Sequence, residues 1–184
     1  MENRILIVDD EEQILNALKR TFMNEDYVID VAHSGEEALE MIGKRPYKVV
    51  ISDERMPGMS GSDLLSMVSL RCPEVVKILL TGHASVESAM KAVNEGEITR
   101  FMLKPWDNFE LRLAVTSAIE KYDLEMQNRK LMALLRTGLS KFKAGHDVDD
   151  TISTLLNSLV SNDNSPKKSR DEVMEILDQC LKTI

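Results

Sequence analysis

The chain has 184 residues with 31 acidic and 23 basic side chains, which gives a formal net charge of −8. This length suffices for one complete domain and a smaller appendage. No run of about 18 apolar residues is present, and the charged start of the chain leads directly into a predicted strand, so we expect a cytoplasmic protein without a membrane span or signal peptide. Acids outnumber bases 18 to 12 in residues 1–106 and 13 to 11 in residues 107–184, which argues against a DNA-binding surface.

Short apolar runs rich in β-branched residues alternate with amphipathic stretches in the first 107 residues. The runs predict strands at about 4–9, 27–32, 48–53, 76–81 and 99–103. The amphipathic stretches predict helices at about 12–23, 35–43, 62–71 and 85–95. With right-handed crossovers, this alternation predicts an α/β fold, a doubly wound five-stranded parallel sheet.

Polar side chains stand where four of the predicted strands end. Asp9 and Asp10 follow the first strand, Asp53 ends the third, Thr81 ends the fourth and Lys104 follows the fifth. Ligands of parallel sheets gather outside the carboxyl ends of the strands, so these groups should meet in one crevice. Three carboxylates, a hydroxyl and an ammonium suit a divalent cation and a phosphoryl group, which indicates a phosphorylation switch.

The acidic pair Asp9-Asp10 has two interpretations by itself. With Glu11 and Glu12 it could simply complement the dipole of the first helix. Together with Asp53 it could supply the oxygen ligands that Mg²⁺ prefers. Asp53 favours the second interpretation, because a carboxylate at the end of a central strand can attack phosphorus once a metal neutralises its surroundings.

The motifs in chain order resemble the receiver domain of two-component response regulators, the CheY-like family, over roughly residues 3–123. The motifs are Asp9-Asp10, Asp53, Met56-Pro57-Gly58-Met59-Ser60-Gly61, Thr81-Gly82-His83, Phe101 and Lys104-Pro105. The resemblance implies the strand order 2-1-3-4-5. It also implies a regulator that accepts a phosphoryl group from a sensor histidine kinase and is not itself an enzyme beyond assisting its own phosphorylation and dephosphorylation.

The resemblance implies a role for each residue at the metal. Asp53 would be the phosphoacceptor and a ligand of Mg²⁺. Asp10 would bind the ion directly and Asp9 through a water molecule. The backbone carbonyl of Arg55 would be a further ligand.

The resemblance also implies the residues that hold the phosphoryl group and read its presence. Lys104 would pair with the phosphoryl oxygens, and backbone amides near Glu54 and Gly82 would complete a phosphate cradle. Thr81 would be the switch hydroxyl, and Phe101 the aromatic side chain that turns inward when Thr81 moves.

A phosphatase of the haloacid dehalogenase type is a remote alternative, because it also combines an aspartyl nucleophile, a threonine, a lysine and Mg²⁺. Such an enzyme needs a second aspartate two residues after the nucleophile. Arg55 occupies that position here.

A long helix is predicted to leave the receiver. From Asp107 to about Phe142 the chain has no proline and, before Gly138, no glycine. One set of apolar residues suits packing on the sheet: Leu111, Val115, Ala118, Tyr122 and Met126. A second set keeps heptad-like spacing: Leu124, Asn128, Leu131, Leu135 and Phe142. That second set predicts either a homodimer through this helix or packing of the chain's own last helices on it.

We therefore divide the chain into a receiver, residues 1–123, and an all-α extension, residues 124–184. The extension comprises the rest of the long helix and two further predicted helices, at about 148–160 and from about 169. It shows no helix-turn-helix pattern, so we favour an output through dimerisation or an unknown protein partner over DNA binding. A fragment of a larger regulator that lacks its effector domain stays possible on sequence alone.

Overall fold

The computed structural model describes residues 2–82 and 98–143. Five parallel strands form one sheet in the order β2-β1-β3-β4-β5. They are β1 (Arg4–Val8), β2 (Val28–Ala32), β3 (Val49–Asp53), β4 (Val76–Thr81) and β5 (Arg100–Leu103). Each strand starts and ends within one residue of its predicted limits, and the predicted α/β fold and strand order are confirmed.

Four helices lie within the described residues. They are α1 (Glu12–Thr21), α2 (Gly35–Lys44), α3 (Gly61–Arg71) and the long helix (Asn108–Lys143). The helices predicted at about 85–95, at about 148–160 and from about 169 lie outside the described residues. Within residues 2–82 and 98–143, no helix combines the length and apolar content that a membrane span requires.

Side-chain caps fix where two of these helices begin. The Ser34 hydroxyl accepts a hydrogen bond from the Glu37 amide at the start of α2. One carboxylate oxygen of Asp107 accepts from the amides of Phe109 (2.8 Å) and Glu110 (2.9 Å) at the start of the long helix. These bonds satisfy amides that have no partner inside the helix, so the long helix begins at Asn108, four residues after Lys104.

Apolar side chains fill both faces of the sheet. One face packs against α1 and the long helix, and the other against α2 and α3. Every residue of β3 and β4 is buried, as expected for central strands of a parallel sheet covered by helices. Function is therefore expected at the edges where the strands end.

The long helix shows the two sets of residues that its sequence predicts. Leu111 and Val115 are fully buried against the sheet, and Tyr122 is the last buried side chain among the described residues of this helix. Leu124 and Leu131 expose 59% and 44% of their surfaces. The side chains of Leu135 and Phe142 lie outside the described part of the chain.

The chain divides into two compact units, Met1–Met126 and Gln127–Ile184. The first unit holds the whole sheet, α1, α2 and α3. The second contains the described helical residues 127–143. The boundary between the units lies three residues after the division predicted from the sequence.

Candidate functional site

The predicted polar residues meet at the carboxyl edge of the sheet. Parallel pairing of neighbouring strands brings the ends of β1, β3, β4 and β5 to one level. Asp9 follows β1, Asp53 ends β3, Thr81 ends β4 and Lys104 follows β5. The backbone closes this edge further, because the Lys104 amide donates to the Thr81 carbonyl at 2.8 Å.

The Lys104 ammonium bridges two buried carboxylates at the centre of the site. Its Nζ lies 2.6 Å from Asp53 Oδ1 and 2.8 Å from Asp9 Oδ2. Asp9 is 1% exposed and Asp53 7% exposed. Burial disfavours the charged ammonium, but the hydrogen bonds that it donates to both carboxylates outweigh this effect and raise the pKa of Lys104. Two carboxylates and one ammonium give the group a net charge of −1.

Backbone amides take the remaining oxygens of this buried pair. The Glu11 amide donates to Asp9 Oδ1 at 2.9 Å, and the Arg55 amide donates to Asp53 Oδ2 at 2.7 Å. Both carboxylates are thereby fixed in orientation. Asp10, the third predicted acid, is exposed to solvent beside them.

The donor set suits a hard divalent cation, since it consists of carboxylate oxygens at adjacent strand ends. Among residues 2–82 and 98–143, however, no three acidic, histidine or cysteine side chains are already gathered around a common point. Lys104 provides the positive charge between Asp9 and Asp53 in this arrangement.

The Glu54 amide, near which part of the phosphate cradle is expected, is paired within the sheet. This amide donates to the Leu80 carbonyl at 2.9 Å, which extends the β3–β4 ladder by one residue, so it is not free for a phosphoryl group. The Arg55 amide, one residue later, is the one that reaches Asp53. The reason is that the chain keeps its sheet pairing through residue 54 and turns only after it.

The Glu54 side chain has a structural role that the sequence analysis missed. Its carboxylate accepts hydrogen bonds from the Ser62 amide at 3.0 Å and the Ser62 hydroxyl at 2.7 Å, and the Glu54 carbonyl accepts from the Gly61 amide at 3.0 Å. The residue after Asp53 therefore caps the first turn of α3. An acid eight residues before a serine in a helical first turn gives no recognisable sequence signal.

Gly61 lets the start of α3 approach the end of β3. A Cβ atom at this position would lie 2.8 Å from the Asp53 carbonyl carbon and 2.8 Å from Leu79 Cδ1, and closer still to the Asp53 carbonyl oxygen. Only a residue without a side chain fits there. A glycine directly after the N-cap Ser60, where most residues are tolerated, was the available sequence signal.

The predicted switch residues are Thr81 and Phe101. In the described part of the chain, neither makes a hydrogen bond to the carboxylates of Asp9 and Asp53. Thr81 is fully buried, and its hydroxyl donates to the Gly82 carbonyl at 3.1 Å. A Cβ atom on Gly82 would meet the Arg55 guanidinium only at 3.9 Å. Phe101 is half-buried and packs against the part of the core that lies between the sheet and helices α2 and α3. The peptide bond between Lys104 and Pro105 is cis.

Comparison with known proteins identifies this arrangement. Residues 5–116 match the model of the response regulator receiver domain. The chain is 35% identical over 133 residues to the hydrogenase transcriptional regulatory protein HoxA of Cupriavidus necator, covering 72% of this chain and 27% of that protein. It is 31% identical over 127 residues to the DNA-binding transcriptional regulator NtrC of Escherichia coli, covering 69% and 27%.

A solved receiver domain protein from Clostridium thermocellum superposes with a TM-score of 0.63 at 32% identity, covering 66% of this chain and 97% of that one. The chain spans about a quarter of the length of the two curated relatives. The resemblance inferred from the motifs is confirmed. The chain belongs to the receiver domain family of two-component response regulators.

Proposed function

We propose that Asp53 is the phosphoacceptor of this receiver and that a sensor histidine kinase supplies the phosphoryl group. The observation that carries the proposal is the bridge from Lys104 to the buried carboxylates of Asp9 and Asp53. In this bridge the ammonium lies within hydrogen-bond distance of both carboxylates at the carboxyl edge of the sheet, which supports a nucleophilic role for Asp53. Asp53 is the central member, because it ends the strand between β1 and β4.

Receiver domains typically bind Mg²⁺ for phosphorylation. The residues that would hold it here are Asp9, Asp10, Asp53 and the Arg55 carbonyl. When bound, the ion supplies positive charge that offsets the repulsion between the acids and the incoming phosphoryl group. With a cation held by these residues, Asp9 and Asp53 would no longer depend on Lys104 for a positive charge, and its ammonium would be available to the phosphoryl oxygens.

In the transfer, an Asp53 carboxylate oxygen attacks phosphorus, and the bond from phosphorus to the kinase histidine nitrogen breaks with its electron pair going to that nitrogen. Lys104 then pairs with the phosphoryl oxygens. The Arg55 amide, which donates to the Asp53 carboxylate before transfer, donates to one of the phosphoryl oxygens after it. Thr81 exchanges its bond to the Gly82 carbonyl for one to the phosphoryl group, and the Gly82 amide completes the cradle.

The displacement of Thr81 leaves space beside β4, and the half-buried Phe101 turns into it. Because β5 leads through Lys104 to the Asp107 cap, this change reaches the start of the long helix within a few residues. We propose that the extension, residues 124–184, carries the output by homodimerisation through the long helix or by binding a protein partner.

A DNA-binding output is a second candidate, because the chain is similar to part of a protein named as a DNA-binding transcriptional regulator. In that case the receiver would control DNA binding through segments beyond those described.

Receiver domains of response regulators are generally not enzymes. We propose that this one does no more than assist the gain and loss of its own phosphoryl group.

Phosphorylation by a small phosphodonor with Mg²⁺, followed by intact mass, tests the site. The wild-type chain should gain one phosphoryl group, and Asp53→Asn should gain none. Asp63→Asn, which removes an exposed acid at the start of α3, is the matched control and should be labelled like the wild type. Undiminished labelling of Asp53→Asn would overturn the assignment.

A further inference from the structure

Lys48 carries a buried ammonium at the opposite edge of the sheet from Asp53. Its side chain is 4% exposed. The ammonium donates to both carboxylate oxygens of Asp123, at 2.6 and 2.7 Å, and to Asn3 Oδ1 at 2.9 Å. It also lies 5.9 Å from the centre of the Tyr122 ring. A buried charge with this full set of partners has little freedom to move.

The backbone of Lys48 is held by the centre of the sheet. Its amide donates to the Arg4 carbonyl at 2.9 Å, and its carbonyl accepts from the Val76 amide at 2.9 Å. Both neighbouring strands therefore fix it. The other partner of the ion pair, Asp123, belongs to the long helix, so the contact ties that helix to the most rigid part of the receiver.

Asp123 lies where the receiver-bound part of the long helix ends. It directly follows Tyr122, and the first compact unit ends three residues later at Met126. The side chain of Asp123 is 46% exposed, whereas that of Lys48 is only 4% exposed. If this turn left the sheet, Asp123 would regain water but the ammonium would lose its charged partner, and an unpaired buried charge is strongly unfavourable.

The ion pair is far from the phosphoacceptor. Five residues of strand separate Lys48 from Asp53, which corresponds to roughly 17 Å at 3.3 Å per residue. Because the Coulomb energy is inversely proportional to distance, a charge at this distance acts roughly six times more weakly than one at the 2.6 Å of the ion pair. A charge added at Asp53 therefore acts weakly on the ion pair, while the start of the same helix, capped by Asp107, lies three residues from Lys104.

We propose that the Lys48–Asp123 ion pair is a fixed anchor, which keeps helix residues 119–126 docked in both the resting and the phosphorylated receiver. Within the receiver, movement of the long helix on switching is then confined to the residues before 119, and the docked turn acts as the pivot. The proposal depends on the proposed function only in naming the two states, since the anchor itself can be measured without a phosphoryl group.

Hydrogen exchange of the full chain, with and without beryllofluoride and Mg²⁺, tests the anchor. In the wild type, amides 119–126 should exchange slowly under both conditions. Lys48→Met and Asp123→Asn should each speed their exchange by at least about tenfold under both conditions. Asp123→Asn should have the larger effect, because it leaves the buried ammonium without its charged partner. Glu125→Gln, which removes a neighbouring exposed ion pair with Lys121, is the control and should match the wild type.

Several results would overturn the anchor. They are unchanged exchange at 119–126 in Lys48→Met, acceleration spread evenly over residues 2–126, and loosening of 119–126 in the wild type on adding beryllofluoride. Phosphorylation of Lys48→Met by a small phosphodonor should proceed at the wild-type rate, and slower labelling would contradict the independence of the two sites. Protection of residues 53–61 by beryllofluoride reports separately on the proposed function.

Discussion

Replacement of Gly61 by alanine should damage both the stability of the receiver and its phosphorylation. The new methyl group would lie 2.8 Å from the Asp53 carbonyl carbon and 2.8 Å from Leu79 Cδ1. Ordinary carbon contacts need about 3.5 Å, so something must move by at least about 0.7 Å. Leu79 can adjust its rotamer, but the Asp53 carbonyl belongs to the backbone of a central strand.

The cost follows from this geometry. Overpacking a filled core typically costs about 1–3 kcal/mol, and a backbone obstacle places Gly61→Ala at the upper end. For a domain of this size, about 3 kcal/mol lowers Tm by roughly 10 °C. Because the shift displaces the phosphoacceptor itself, we also expect labelling to slow by roughly tenfold to a hundredfold.

Gly43→Ala is the matched control. Gly43 is exposed on α2, and a Cβ atom there would meet nothing within 4 Å. An alanine in a helix should gain about 0.5–1 kcal/mol relative to glycine. Urea unfolding of both variants, followed by labelling with a small phosphodonor, gives the comparison. If Gly61→Ala is as stable as the wild type and is labelled as fast, the close approach does not constrain the site.

Two further predictions concern charged and ionisable groups. Lys104→Met removes the ammonium between Asp9 and Asp53 and should lower the free energy of unfolding by about 3 kcal/mol at pH 7 without divalent cations. In thermal unfolding, Mg²⁺ should restore more stability to this variant than to the wild type. Equal responses to Mg²⁺ would contradict the role of Lys104 as the cation between the acids. Burial, and then the hydrogen bond to Asp30, raise the pKa of Tyr47 from 10.0 to about 12, so its contribution to stability is intact below pH 10 and is lost as the pH rises through the folded-state value. The late titration of Tyr47, followed by absorbance, should move to lower pH in Asp30→Asn, and an unshifted titration would show that Asp30 has no part in it.

The arrangement of the site could be predicted from the sequence because each of its main residues ends or follows a short apolar run. A strand end is a local signal, and the parallel sheet then brings Asp9, Asp53, Thr81 and Lys104 to one edge without further information. The buried face of the long helix was predictable for the same reason, since Leu111, Val115, Ala118 and Tyr122 keep a helical period.

Contacts between individual side chains that are distant in sequence could not be predicted in this way. Lys48 and Asp123 lie 75 residues apart, and neither stands out in the sequence from the other charged residues of the chain. The Glu54 carboxylate at Ser62 and the Glu54 amide in the sheet depend on where the chain turns after Asp53, which periodicity does not specify. Such details follow from tertiary packing rather than from local pattern.

The central claim is that the acyl phosphate forms on Asp53, and chemical mapping of the modified residue tests it most directly. The full chain is treated with a small phosphodonor and Mg²⁺, reduced with borohydride and digested for peptide mass analysis. Borohydride reduces an acyl phosphate to the alcohol, so we predict homoserine at position 53 and unmodified aspartate at positions 9 and 10. Homoserine at another position, with Asp53 intact, would contradict the account.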